Sequence, residues 1–437
     1  MSAHAVMRRP SPLVVMKGRA PLVARLLAVI GMTGVVDLVA VVGAAGVAAA
    51  APAMPDPQRL HDAMQSAPEV VAARARLAEA QNEARLLSIG PYEWTVSGSG
   101  GRRSIDEEGR FGEWDAGLER PVRLPGKARL DRQIGDLTVK QARAALAVAQ
   151  RESAAAIRAA WFDCVRADQR ARIVARERGD VDTMARALER RHATGDISRQ
   201  ELALARAELA GVVAESGTAS AAAVTAARLL ATRLADVSCR LDAMPQPDAP
   251  PPRGSETGAL ADADPGVATR RAAAAIASRA AERARQDQLP DPTLGMHYGA
   301  ERSGAERIGT ITLSVPLGVR RRTAEAARAA AAADAATAEL DVARREAGRR
   351  WVAIESTRAQ TWTSWRSLAD AAREAEIAAD LAHRGFELGE TSLSDALLAR
   401  RMAVRARLAE LDAAIDAHAA AADYEAYVQS ARSTSDL

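Results

Sequence analysis

Two hydrophobic patterns divide the chain. Over Tyr92-Glu-Trp94-Thr-Val96-Ser, Trp114-Asp-Ala116-Gly-Leu118-Glu119, Leu294-Gly-Met296-His-Tyr298 and Thr310-Ile311-Thr312-Leu313-Ser314-Val315, apolar and polar residues alternate with the period of two that marks a strand. Strands are predicted over 92–99, 111–121, 293–299 and 308–316. The second pattern is helical and very long. From Gly126 to Ala193 only Gly135 and Gly179 interrupt a run of strong helix formers, and Thr194-Gly195-Asp196 ends it. A helix of that length spans roughly 100 Å. A second Ala-rich limb follows, so that 126–237 reads as a long helical hairpin, and 321–428 reads as another. In its last limb Leu397, Val404, Leu408, Leu411 and Ile415 keep the spacing of a coiled-coil seam. A shorter helix is predicted over Pro57 to Leu87, with Asp56 as N-cap, Pro57 at the first helical position and Gly90-Pro91 as the stop.

The same order of elements occurs twice. Arg190, Gly195, Ser198, Glu201 and Arg206 recur as Arg384, Gly389, Ser392, Asp395 and Arg400 at a shift of 194; Pro121 and Pro316 match at 195, and Pro68 and Pro265 at 197. Landmarks this far apart at one period indicate a tandem duplication. The first repeat covers 54–243 and the second 265–429. Residues 244–264, with five prolines from Pro245 to Pro252, read as a linker, and 430–437 as a tail.

Composition changes the picture in two ways. Aromatic residues are 3% of the chain against 48% hydrophobic, which suits thin Ala-rich helix packing rather than three globular cores. The net charge of +3 is local: Arg8, Arg9, Lys17, Arg19 and Arg25 face only Asp37 within residues 1–53, and without that surplus of four the rest of the chain is at −1. Nucleic-acid binding is excluded on that ground. Basic residues, a long apolar stretch and Ala51-Pro52-Ala53 form, in order, a signal peptide over 1–53; an uncleaved membrane anchor is the competing reading. Met16 is a second candidate start, and no lipid-attachment cysteine follows the small residues. No phosphate-cradling loop, catalytic triad order or His pair at metal spacing is present, and His192 and His383 stand alone, so neither an enzyme nor a cofactor is expected.

Strands this long can cross a membrane, yet four cannot close a barrel and an open edge is forbidden in lipid. Three copies would supply twelve strands. Glu113, Asp115, Glu119, Thr310, Thr312 and Ser314 would then face water, and Trp94, Trp114, Leu313 and Val315 lipid. A small soluble sheet capping a helical rod is the alternative. In the membrane reading the segments from Gly100 to Gly109 and from Glu301 to Glu306 are outward loops.

The duplicated order, the strand-to-helix junctions Leu118-Glu-Arg-Pro121-Val-Arg-Leu-Pro-Gly126-Lys127 and Leu313-Ser-Val-Pro316-Leu-Gly-Val-Arg-Arg, and the paired Arg-x4-Gly-x2-Ser turns together resemble the TolC family of outer-membrane efflux proteins. The resemblance implies a mainly α fold with a small membrane β-barrel contribution: a homotrimer forming an α/β-barrel tunnel through outer membrane and periplasm. It also implies docking to a periplasmic adaptor protein and an inner-membrane pump of the RND type. The Leu-Pro-Gly-Lys junction is similar to the CzcC-like branch, which implies heavy-metal cations as cargo. A duct for type I protein secretion and a secreted coiled-coil structural or adaptor protein are the alternatives.

On this reading Arg190, Gly195, Ser198, Arg384, Gly389 and Ser392 form adaptor-docking tips; the alternative is that the glycines only turn the chain and the two arginines only cap helix ends. Asp395, with its counterpart Glu201, matches the family's acidic constriction at the tunnel mouth, where three copies would make a ring attractive to cations; an ordinary solvated helix acid is the alternative. The cysteines are expected to stay unpaired. Cys164 lies 31 residues before Gly195 and Cys239 lies 44 after it; on antiparallel helices the offset of 13 residues is roughly 20 Å, against the roughly 7 Å that a disulfide spans.

Overall fold

The computed structural model describes residues 55–251 and 257–434; the segment 1–53 falls outside them. The elements run α1 (Pro57–Ser66), α2 (Pro68–Ile89), β1 (Thr95–Ile105), β2 (Gly109–Pro121), α3 (Pro125–Ala193), α4 (Arg199–Ala231), α5 (Thr257–Asp262), α6 (Pro265–Gln286), β3 (Thr293–Glu301), β4 (Glu306–Ser314), α7 (Val319–Glu387) and α8 (Leu393–Thr434). A short 3-10 turn, Arg302–Gly304, joins β3 to β4.

The helix predicted over 57–87 is two. Pro68 cannot donate to the preceding turn, and Ala67 before it is extended at ψ 133°, so the chain breaks there and restarts. Glycines 100 and 101, placed in a loop by sequence, lie inside β1, whose turn is confined to 106–108. The predicted linker contains α5, and α8 continues through most of the predicted tail.

Both α3 and α7 are single helices of 69 residues, roughly 100 Å each. Beside the strands, α3 packs between α2 and α6, and α6 packs in turn on α7; towards the far end, α4 and α8 flank α3 and α8 lies against α7. Short helices therefore stack in two columns, α2 above α4 and α6 above α8, alongside the two continuous ones. Four helical columns result.

The buried core is a chain of small clusters along these columns. The largest joins Ile157, Trp161, Phe162 and Val165 of α3 to Ile415 of α8 and to Leu230 and Leu234 at the end of α4. Much apolar surface stays uncovered: Leu204, Val213, Val224 and Leu229 on α4, and Val342, Val352, Ile377 and Leu381 on α7, the two outer columns. Among the described residues α4 alone is long and apolar enough to cross a membrane by length and composition.

The cysteines are bonded, contrary to expectation, with Cα atoms 5.9 Å apart. The expected offset does not apply, because Cys239 does not lie on a helix. In fact α4 ends at Ala231, the Thr232 hydroxyl donates to Leu229 O, and Asp236 takes φ +58°. The chain doubles back and delivers Cys239 to the level of Cys164 inside the largest cluster. Both long hairpins are nevertheless present, so the disulfide does not exclude them.

Candidate functional site

The four strands form one antiparallel sheet in chain order, β1-β2-β3-β4, and β2 pairs with β3 across the two repeats. Register sorts the side chains, because residues directly opposite share a face. Val96, Leu118, Met296 and Ile311 align in one row, and Trp114, Tyr298, Leu294 and Leu313 share their face. This face is apolar and open to the surroundings; Ile311 is 85% exposed. Trp114 and Tyr298 pack ring to ring near the outer end at 5.9 Å, and Trp94 lies under Arg120 near the helical end.

The other face is polar and internally paired. Arg103 meets Glu113 at 2.9 Å and Glu301 at 3.2 Å. His297 sits over Gly117, where a Cβ would come within 2.5 Å of the ring, and reaches Glu119 at 2.9 Å and Asp115 at 3.4 Å. Glu113, Asp115, Glu119, Thr310, Thr312 and Ser314 all lie on this face, as expected from the alternation. Neither edge strand, β1 nor β4, has a further strand partner among the described residues.

At the opposite end the tips are built from helix-end grammar. Gly195 (φ +80°) and Gly389 (φ +77°) adopt the left-handed conformation that ends a helix. Around them Asp196 N donates to Arg191 O and Gly195 N to His192 O; Glu390 N donates to Gly385 O and Gly389 N to Phe386 O. Each turn is thus a Schellman motif, and three residues later a serine starts the next helix. The Ser198 hydroxyl accepts from Glu201 N while Ser198 N donates to the Glu201 carboxylate at 2.8 Å. Ser392 Oγ accepts from Asp395 N and lies 2.7 Å from its carboxylate. Glu201 and Asp395, singled out by sequence as constriction acids, are therefore both N3 acids of a serine-capped helix start. The bonds from Ser198 hold the Glu201 carboxyl below its usual range.

Arg190 and Arg384 accept the capping bonds from Thr194 N and Leu388 N through their carbonyls, and their side chains remain exposed. The two tips share one small core, with Leu188, Ile197 and Leu202 against Leu393 and Leu397. Arg191 lies over the Phe386 ring at 5.6 Å and pairs with Asp196. Above the tips, arginines and acids lace α8 to α3: Arg400 to Glu177 and Asp180, Arg166 to Asp412 and Asp416, and Arg158 to Asp423.

Sequence reasoning missed the junction between sheet and helices. Lys127, only 2% exposed, bridges Asp291 (2.9 Å) and Asp287 (3.0 Å) and donates to Leu289 O. Arg123 and Arg283 both hold Asp131 beside it. Burial pushes the Asp291 carboxyl up, but bonds from Lys127, Tyr92 and Leu124 N outweigh it and hold the group below the usual range; burial and that carboxylate drive Tyr92 up to about 12. The Leu-Pro-Gly-Lys motif pointed to this place, while its partners lie some 160 residues onward in sequence.

No protein-family model and no curated protein matches the sequence. Solved structures do match the fold. The CmeC outer-membrane channel of Campylobacter jejuni is similar over 86% of this chain and 85% of its own, with a TM-score of 0.72 and 15% identity. The outer-membrane protein VceC of Vibrio cholerae aligns over 85% and 95%, at 0.71 and 19%. The open-state MtrE outer-membrane channel of Neisseria gonorrhoeae aligns over 85% and 88%, at 0.72 and 16%. With nearly full coverage on both sides, the duplicated strand pairs and the paired 69-residue helices give this protein the fold of the TolC-type outer-membrane channels.

Proposed function

We propose that the protein is the outer-membrane component of a tripartite efflux system: a passive trimeric exit duct whose strands sit in the outer membrane and whose helices extend through the periplasm. The observation that carries this reading is the four-stranded sheet with one apolar and one polar face and two unpaired edges. Closing three such sheets gives twelve strands with lipid outside and water inside, and removes every edge. The uncovered apolar stripes of α4 and α7 then pack against each other between subunits, so that four columns become twelve. That assignment accounts for the hydropathy of α4 without a membrane helix.

The tips are the end that faces the cell, and we assign them to docking of a periplasmic adaptor protein, with an inner-membrane pump of the RND type behind it. Heavy-metal cations as cargo gain no support from the junction motif, because Lys127 acts there as a buried counter-ion. Type I protein secretion would use the same duct and differ only in the pump.

Substitution of both tip glycines tests the docking role. Nothing lies within 4 Å of a Cβ built on Gly195 or Gly389, so Gly195→Ile with Gly389→Ile adds only the backbone strain of two left-handed residues, about 1–3 kcal/mol each. Trimers should still form while export in cells is lost. Export that survives both changes would remove docking from the tips.

A further inference from the structure

The arginines of the sheet divide by face. Arg103 lies on the polar face and is paired twice. Arg102, Arg110 and Arg307 lie on the apolar face: Arg102 stands opposite Gly112, Arg110 opposite Ser104, and Arg307 opposite Ala300, which in turn is opposite Trp114. All three are exposed, and none has an ion-pair or hydrogen-bond partner among the described residues. The neighbouring acids do not serve them. Glu108 and Glu306 are taken by Arg302, and Asp106 and Glu107 occupy the turn beyond them.

Their height is as informative as their face. Arg307 is level with the outer aromatic pair, Trp114 and Tyr298, Arg102 is two residues further out and Arg110 four, so that they occupy a band of roughly 13 Å at and above the aromatic girdle. Aromatic rings mark the membrane interface. Unpaired guanidiniums immediately beyond it on the lipid side meet headgroups, not acyl chains or lumen water.

We infer that Arg102, Arg110 and Arg307 form a rim that binds the phosphates of anionic lipid in the outer leaflet of the outer membrane. The guanidinium fork matches phosphate oxygens in a bidentate manner and stays charged at any working pH. Three copies of the chain would surround the barrel with nine such groups. The inference rests on the outer-membrane reading and adds a lipid ligand to it.

The test uses detergent-extracted trimers of the full chain, titrated with bisphosphorylated lipid A and with lipid A stripped of its phosphates, bound lipid being counted by native mass spectrometry. The unmodified protein should prefer the phosphorylated lipid by about 100-fold, on the order of fivefold for each arginine near an anionic headgroup. The triple variant R102Q/R110Q/R307Q should bind both lipids alike, and R102K/R110K/R307K should keep most of the preference. Equal binding of the two lipids by the unmodified protein overturns the proposal, and that measurement needs no variant. Preference retained in the glutamine variant overturns it too, as does release of lipid A by equimolar inorganic phosphate. Trimers that form and show no preference refute only the lipid rim; failure to recover any trimer from the outer membrane refutes the outer-membrane reading, and the rim with it.

Discussion

Lys127 is the single side chain on which the junction between sheet and helices turns. It is fully buried between Asp291, itself 5% exposed, and Asp287, so its removal leaves a carboxylate without a counter-charge. Lys127→Ala should therefore lower stability by about 3 kcal/mol, whereas Arg321→Ala, which breaks a solvent-exposed pair with Glu325, should leave stability almost unchanged. Thermal unfolding of the two variants side by side checks this. The same site sets an acid limit. The Asp291 carboxyl titrates lower in the folded state than its unfolded value near 3.9, so its stabilisation is complete above that value and is lost as pH falls through the folded one. An Asp291→Asn variant should be less stable at pH 7, and its deficit should shrink as pH falls through the lowered folded value; a constant difference at every pH would contradict the assignment. The Leu-Pro-Gly-Lys motif marked the place but not the pairing, because Lys127 and Asp291 belong to different repeats. The tip residues were legible for the opposite reason: glycine, serine and an acid at fixed offsets report helix-end geometry that is wholly local.

At the scale of elements, the long helices and alternating strands could be read because their signals persist over many residues. The failures were at chain reversals. Pro68 split a helix that its alanine content would have carried through, and Thr232 ended α4 too early for the cysteine arithmetic to hold. The disulfide defines what the segment after α4 does. Cys239 is tied to Cys164, while Leu241 O accepts from Gln169 and Arg172 and Pro245 O from His418, so residues 238–245 are strapped across α3 and α8. Burial holds His418 below its ordinary value, which keeps it neutral at pH 7 with its Nε2 proton on Pro245 O. The bond closes a 75-residue loop, worth about 4 kcal/mol by chain entropy. The α3–α4 hairpin already restrains much of that loop, so loosening should be confined to the strap. A variant with Cys164→Ala and Cys239→Ala should form trimers and be nicked faster by protease within 232–251, with α3 and α4 protected. Cleavage spread evenly through α3 would show that the bond holds the hairpin itself.

The whole molecule is incomplete as one chain. Among the described residues, a sheet with one apolar and one polar face, two open edges and two uncovered helical columns are the features that the proposed trimer would cover. The need for further copies is legible in the strand count of the sequence, since four strands with alternating faces cannot close alone. Cross-linking between the edge strands tests it most directly. Within one chain β1 and β4 are separated by three strand spacings, about 14 Å, and the native cysteines are already bonded to each other. Ser99→Cys on β1 and Thr310→Cys on β4 both lie on the polar face. With a short bifunctional thiol reagent, membranes containing the double variant should yield covalent dimers and trimers on a denaturing gel, with neither single variant giving trimers. Only uncross-linked or internally linked monomers from the double variant would contradict the closed twelve-strand barrel.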